Sequence, residues 1–302
     1  MTSTRQWIAG ARPRTLPAAL APVVVGTSVA MWDGGAIWPR ALLALVVALA
    51  LQVGVNYAND YSDGIRGTDA RRVGPVRLVG QGLAEPTAVK HAALLSFALA
   101  GVAGLMLVVL SGLWWLLLVG AAAIAAAWTY TGGPRPYGYA GLGEVFVFVF
   151  FGLVAVGGTA AVQVGFVSSL AWISAVGVGA LSCAILVVNN LRDIPGDTIA
   201  SKRTLAVRIG DPATRRLYIT LVGAALAIPA VVGALGLAAP EAWPATALIG
   251  LVAIPLAIPP LRDVRRGARG PELVAVLVST GRLLLAYGVL LGAGIAIGAL
   301  TA

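Results

Sequence analysis

Long apolar runs alternate with polar breaks from residue 16 to residue 300, and the breaks alternate in character. Runs of about 20 apolar residues are long enough to cross a bilayer as helices. The pattern predicts such spans at 16–32, 41–59, 89–110, 113–130, 141–162, 168–191, 214–237, 243–261 and 273–300. Every second break is short and almost uncharged (WDGGAIWP, SG, QVGFV, LAAPEAW), whereas the others include the long polar stretches 60–88 and 192–213. The expected fold is therefore all-α: a polytopic bundle of about nine transmembrane helices in a single domain over 1–302, with its chemistry at one membrane face.

Composition agrees, with 59% hydrophobic and only 11% charged residues against about 25% charged in soluble domains. The formal charge of +9 could suggest nucleic acid, but the placement of the basic residues excludes that reading. Every Lys and Arg except Arg40 and Arg282 falls before the first span, in the long breaks or at their edges. Such a bias predicts a cell-membrane protein with its N-terminus cytoplasmic and its C-terminus outside. The first run follows Arg5, Arg12 and Arg14 as a signal peptide would, but its internal Pro17 and Pro22 and the later spans predict a retained helix. The single cysteine, Cys183, lies in an apolar run, which excludes a disulfide framework and predicts a buried hydrophobe.

Carboxylates gather where the long breaks begin. Gln52, Asn56, Asp60 and Asp63 are three or four apart and share one helical face at the end of the second span. Asn189, Asp193 and Asp197 repeat the arrangement at the end of the sixth, with Asn and Asp at one common offset. The match predicts an internal duplication, about 16–140 and 141–302. Carboxylates oppose the partial negative charge of a helix C-terminus, so such clusters call for cations. Acidic oxygen ligands without a cysteine or histidine partner suit Mg²⁺, which combines one or two carboxylates with substrate phosphates. The lone His91 opens the third span and reads as an interface residue. Nearby Arg66, Arg71, Arg72, Arg77, Lys202 and Arg203 supply phosphate-binding charge, so a diphosphate site is the natural expectation. Arg77, within GPVRLVGQG, and Lys202, just after Asp197, are the strongest of these.

A third informative break, YTGGPRPYGYAGLGE, carries Tyr130, Arg135, Tyr137 and Tyr139. Arg282, deep in the last span, is expected to face the bundle interior, where Glu144 could pair with it. A cation transporter would carry polar residues through several spans to both faces, whereas here they stop near one edge.

NDYSD (59–63) and DIPGD (193–197), on same-side breaks of a nine-span chain, resemble the aspartate motifs of the UbiA superfamily of intramembrane prenyltransferases. The resemblance extends over nearly the full length. It implies that the two motifs hold Mg²⁺ against a polyprenyl diphosphate with an aromatic acceptor nearby. ARPRTLPAALAPVVVGT, NDYSDGIRGTD, GPVRLVGQG, YTGGPRPYGYAGLGE and NNLRDIPGDTIASKRTLAVRIG are similar to the branch that prenylates 1,4-dihydroxy-2-naphthoate. Another acceptor, such as 4-hydroxybenzoate, is the alternative within the superfamily. The roles implied are catalytic for Asp60, Asp63, Asp193, Asp197 and Lys202, the four acids being the metal ligands. Asn56, Arg77, Gln81, Tyr130, Arg135, Asn189 and Arg203 would bind substrate, with Asn56, Asp69 and Asn189 as further metal ligands. Many members continue the first motif as NDxxDxxxD; here Gly67 holds the last position and Asp69 follows it.

Overall fold

A computed structural model describes residues 2–67 and 76–302. All regular structure among the described residues is helical. The chain begins with α1 (Thr4–Gly10), then a 3-10 turn at Pro13–Thr15, α2 (Pro17–Trp32) and α3 (Trp38–Ile65). Next come α4 (Pro86–Ser111), α5 (Leu116–Thr129), α6 (Gly143–Val147) and α7 (Ala155–Val164), the last two joined by a π-helical stretch at Phe148–Val154. The remaining helices are α8 (Ser169–Ile199), α9 (Leu205–Ala238), α10 (Ile254–Arg265) and α11 (Pro271–Thr301).

Each expected span corresponds to one of these helical segments, but they are not equal. Among the described residues seven are long and apolar enough to cross a membrane, with α6 to α7 counted as one and a 3-10 stretch at Ala245–Ala253 continuing into α10. An eighth span forms only if the segments Thr4–Thr15 and Pro17–Trp32, bent by 50°, count together. The expected fourth span shrinks to Leu116–Thr129, too short to cross alone. Local chemistry sets the ends. Pro17, Pro86 and Pro271 occupy first-turn positions, where a missing N–H costs nothing. The Ser168 and Thr204 hydroxyls cap α8 and α9 by accepting from the Ala171 and Val207 backbone N–H groups. Gly112 and Gly165 close α4 and α7 at positive φ.

The acidic motifs lie on helices, not on loops as the hydropathy boundary implied. α3 runs on to Ile65 and α8 to Ile199, past the last apolar turns. Hydropathy marks where the bilayer ends, whereas the i to i−4 hydrogen-bond ladder persists into the aqueous edge. Asp60, Asp63, Asp193 and Asp197 therefore stand on rigid terminal turns of two long helices.

Packing forms two main groups, bridged by a small cluster of Val23, Ala44, Leu107 and Val162. A large core joins α2, α8, α9, α10 and α11 through residues such as Val25, Leu181, Tyr218, Leu284 and Tyr287. A smaller one joins α3 and α4 with Tyr57, Leu78, Val89 and Phe97. Between them lies a cavity of about 610 Å³, bounded by α2, α3, α4, α5, the π-helical stretch, α7 and α8.

Arg282 is exposed, and Glu144 instead accepts from Asn190 Nδ2 at 3.0 Å. The expected interior Arg282–Glu144 pair does not exist. α11 begins about 16 Å before Arg282 along its axis. Gly281 lies beside the Arg14 carbonyl, level with the entry of the chain into α2. Arg282 thus reaches the membrane edge without entering the bundle.

At the opposite end, the Arg40 guanidinium ties three helices together. It donates to Val162 O at 2.8 Å and to Leu110 O, the exposed carbonyl ends of α7 and α4. Charge-assisted bonds of this kind contribute about 1.5–3 kcal/mol each. Arg40→Ala should therefore lower the unfolding free energy in detergent by about 2 kcal/mol while leaving ligand binding at the acidic end intact. A loss below about 0.5 kcal/mol would mean that the clamp is incidental.

Candidate active site

The polar end of the cavity is built from five segments far apart in sequence. Asn56, Asn59 and Asp63 of α3 face Asn189, Asn190 and Asp197 of α8, and Arg12, Arg77, Tyr130, Tyr139 and Lys202 complete the wall. Lys202 joins the two motifs: its Nζ donates to Asp63 Oδ1 at 3.0 Å, with both side chains almost fully buried. The backbone explains how it gets there. Ser201 adopts a left-handed conformation (φ 56°) just after α8, and the Lys202 N–H returns to the Asp197 carbonyl at 2.8 Å. The chain reverses, and Lys202 is carried over the cavity while its neighbour Arg203 points outward and is exposed.

Each acid is held differently. Asp60 is fully buried and accepts from the backbone N–H groups of Leu78 (2.6 Å) and Val79 (3.1 Å). It fixes the chain that carries Arg77, and Gly64 makes the approach possible because a Cβ there would collide with Val79. Asp63 also receives the Tyr139 hydroxyl, whose ring lies 4.7 Å from Lys202 Nζ. Asp193 is gripped by Arg192, with Nε and Nη2 each 2.8 Å from one carboxylate oxygen. Arg192 Nη2 also donates to Asn189 Oδ1 at 2.8 Å. Two of the four expected acids, Asp63 and Asp197, therefore line the cavity, whereas Asp60 and Asp193 stand behind its wall.

The other expected residues divide as well. Asn56, Arg77, Tyr130 and Asn189 line the cavity. Gln81, Arg135 and Arg203 are exposed and lie outside it. These side chains project from turns toward solvent. Asp69, Arg71 and Arg72 lie outside the described residues. Arg66 donates to the Thr131 and Gly133 carbonyls and lies over the Tyr139 ring, bracing the 130–139 segment against α3. Burial pushes the Tyr137 phenol up, so it stays protonated and donates to Ala126 O at 2.9 Å.

Sequence reasoning missed the N-terminal corner. Asn56 Nδ2 donates to Ala11 O and to Thr15 Oγ1, each at 2.9 Å, and Gln52 Nε2 donates to Thr15 Oγ1 at 3.0 Å. These bonds engage the Asn56 amide nitrogen, not its Oδ1, where the side chain lines the cavity. Arg12, at φ 54°, is one of two described non-glycine residues in the left-handed region and lines the same cavity. The signal was present: a basic, proline-flanked RPRTLP immediately before the first span. Asn59, bonded to Thr131 Oγ1 at 2.8 Å, and Asn190 were also passed over.

No group of three or more His, Cys, Asp or Glu side chains among the described residues forms a metal cage. The donor set nevertheless fits a hard cation that shares its shell with phosphate: Asp63 and Asp197 carboxylates, with Asn56 Oδ1 close by.

Removing Lys202 takes the cation from a buried carboxylate, a change that costs about 3–5 kcal/mol in comparable sites. Lys202→Met should destabilise by about 3 kcal/mol, and adding Asp63→Asn should restore at least half of that. Additive losses in a double-mutant cycle, read by unfolding in detergent, would show the pair to be uncoupled.

A family model for the UbiA prenyltransferase family matches residues 19–269. The chain is 55% identical, over 100% of both lengths, to 1,4-dihydroxy-2-naphthoate octaprenyltransferase of Mycobacterium tuberculosis (strain ATCC 25618 / H37Rv). It is 37% identical to the protein of the same name in Escherichia coli (strain K12), covering 88% of this chain and 87% of that one. Among solved structures, a UbiA homologue from Aeropyrum pernix K1 superposes with a TM-score of 0.68 at 18% identity, covering 93% and 96% of the two chains. Another, from Archaeoglobus fulgidus and bound to GPP and Mg²⁺, gives 0.66 at 14% identity over 95% and 99%. At these identities the superpositions establish the fold, while the family match over most of the chain establishes membership: the chain belongs to the UbiA prenyltransferase family.

Proposed function

We propose that this protein transfers a polyprenyl group from polyprenyl diphosphate to 1,4-dihydroxy-2-naphthoate, with release of diphosphate and CO₂. The observation that carries this reading is the division of one cavity into a charged end and an apolar remainder. Asp63, Asp197, Arg77 and Lys202 stand at the charged end. Ala44, Val47, Ala48, Ala100, Gly104 and Leu116 line the remainder. An amphiphile with a diphosphate head and an isoprenoid tail has that same division. The full-length 55% identity to a naphthoate prenyltransferase supports the acceptor.

The reaction breaks the allylic C–O bond and leaves both electrons on diphosphate. Arg77 and Lys202 face the position where that charge develops and stabilise it by fixed, desolvated hydrogen bonds. Asp63 and Asp197, with Asn56 beside them in the cavity lining, would hold Mg²⁺, which when bound would supply further charge neutralisation for the diphosphate. This ligand set is narrower than the four aspartates of the sequence motifs, since Asp60 and Asp193 are committed to Leu78–Val79 and Arg192. Their role is positioning: Asp60 holds the Arg77 segment, and Asp193 orients Asn189 through Arg192. The electron-rich ring carbon bearing the carboxylate forms the new C–C bond. The carboxylate leaves as CO₂ and its electron pair restores aromaticity, so no side chain is needed as a carbon base. The product is the hydroquinol form of demethylmenaquinone.

The basic-residue bias supports a cell-membrane orientation with the charged end toward the cytoplasm. An aqueous acceptor and departing diphosphate would then exchange there, while the tail enters from lipid.

Activity of the full chain in liposomes with Mg²⁺, naphthoate acceptor and a polyprenyl diphosphate tests the assignment. Asp63→Asn, Asp197→Asn and Lys202→Ala should each lower kcat/KM by about 100-fold or more, and EDTA should abolish turnover. Arg135→Ala and Arg203→Ala, which lie outside the cavity, should stay within about threefold of the parent. Equal use of 4-hydroxybenzoate would overturn the acceptor, and full activity of Asp63→Asn would overturn the site.

A further inference from the structure

On the outer wall of the bundle, away from the cavity described above, a groove runs between the 3-10 turn at Pro13–Thr15 and the start of α11. It is lined by Arg14, Pro17, Val274, Val278, Ser279 and Arg282, among others. We propose that this groove binds the headgroup of an anionic phospholipid, with Arg14 and Arg282 on the phosphate and the apolar side of α11 along the upper acyl chain.

Three observations lead there. Both arginines are exposed, and among the described residues neither guanidinium has a hydrogen-bond or ion-pair partner. Other basic side chains at the bundle's polar end have definite partners: Arg66 on carbonyls, Arg192 on Asp193, Lys202 on Asp63, Arg215 on Asp211. Two guanidiniums beside one groove repel each other unless an anion lies between them. The protein supplies none, for no acidic residue lines the groove. Glu272, the carboxylate nearest along α11, is engaged with the Arg269 backbone N–H at 3.1 Å.

The second consideration is depth. Gly281 packs beside the Arg14 carbonyl, so the two arginines stand level with the point where the chain enters α2, the edge of its apolar length. Phosphate groups of a bilayer lie at that level. Ser279 adds a hydroxyl, and Pro17, Val274 and Val278 offer an apolar wall on the bilayer side. Basic recesses between helices at a membrane edge are suited to anionic headgroups, each Lys or Arg contributing about 1 kcal/mol. The charge is also out of place on any other account. Arg282 takes part in neither the bundle core nor the cavity.

The groove is separate from the reaction site, so the test does not depend on the proposed activity. The full chain, purified in detergent, would be titrated with phosphatidylglycerol or phosphatidylcholine and read by native mass spectrometry. Phosphatidylglycerol should be retained in preference to phosphatidylcholine. Arg14→Gln and Arg282→Gln should each weaken that retention about fivefold, the factor corresponding to roughly 1 kcal/mol, with turnover of the prenyl substrates unchanged. Equal retention of the two lipids by the unaltered protein would overturn the proposal without any variant being needed. So would undiminished phosphatidylglycerol binding by the double variant, or displacement of the lipid by millimolar inorganic phosphate. A photoreactive phosphatidylglycerol should label α11 near Ser279; labelling only elsewhere would equally overturn it.

Discussion

The Lys202–Asp63 pair is the contact on which the arrangement of the site depends. It joins the last turns of α3 to the corner that follows α8, and these belong to different packing groups. Across the interface between those groups lies a cavity, not a continuous core, so few apolar contacts hold its polar end in register. A buried ion pair is a poor source of net stability but a strong constraint on geometry, because either charge left alone in a dry environment is costly. The pair sets the separation of the two acidic helix ends, and with it the width of the opening between Asp63 and Asp197.

The acids then divide the labour in a way that equal spacing conceals. Asp60 and Asp63 are one turn apart on one face, yet Asp60 bonds to backbone N–H groups behind the wall while Asp63 faces the cavity. Asp193 and Asp197 divide likewise, with Asp193 bound to Arg192 and Asp197 lining the cavity. In each motif the acid nearer the membrane holds scaffold, and the acid nearer the helix end lines the cavity. All four acids are buried, so what separates them is direction: Asp60 meets backbone N–H groups and Asp193 a guanidinium, whereas Asp63 and Asp197 turn to the cavity.

Much of this was legible in the sequence because it rests on short-range rules. Apolar runs gave the helices, the basic bias gave the polar face, and the i, i+4 spacing gave the acidic strips on α3 and α8. The misreadings share one cause, which is that direction and reach depend on tertiary packing. Lys202 and Arg203 are indistinguishable by sequence, and a single left-handed residue, Ser201, decides that Lys202 turns inward. Arg282 reads as internal when span depth is counted from the apolar run. The bend at Pro13–Thr15 instead brings the chain's entry point level with Gly281. Thr15 and Ala11 were invisible as site residues because a hydroxyl and a carbonyl carry no motif, yet they engage the amide nitrogen of Asn56.

Charge confined to one end also explains why the rest of the cavity is built from alanine, glycine and valine. In a bilayer, helices gain little from burying apolar surface against one another, since lipid is equally apolar; close approach through small residues is what holds them. Along α3, α4 and α5 the same small residues (Ala44, Ala48, Ala100, Gly101, Gly104, Gly120, Ala123) line the cavity. A wall of small side chains leaves room for a flexible tail without the rigid shape of a closed pocket. The π-helical stretch at Phe148–Val154 widens the opposite wall, where Phe150, Phe151 and Val154 face inward. Beyond that apolar wall, Arg40 and its carbonyl partners tie α3, α4 and α7 together. A tail longer than the cavity would have to leave between helices, into lipid.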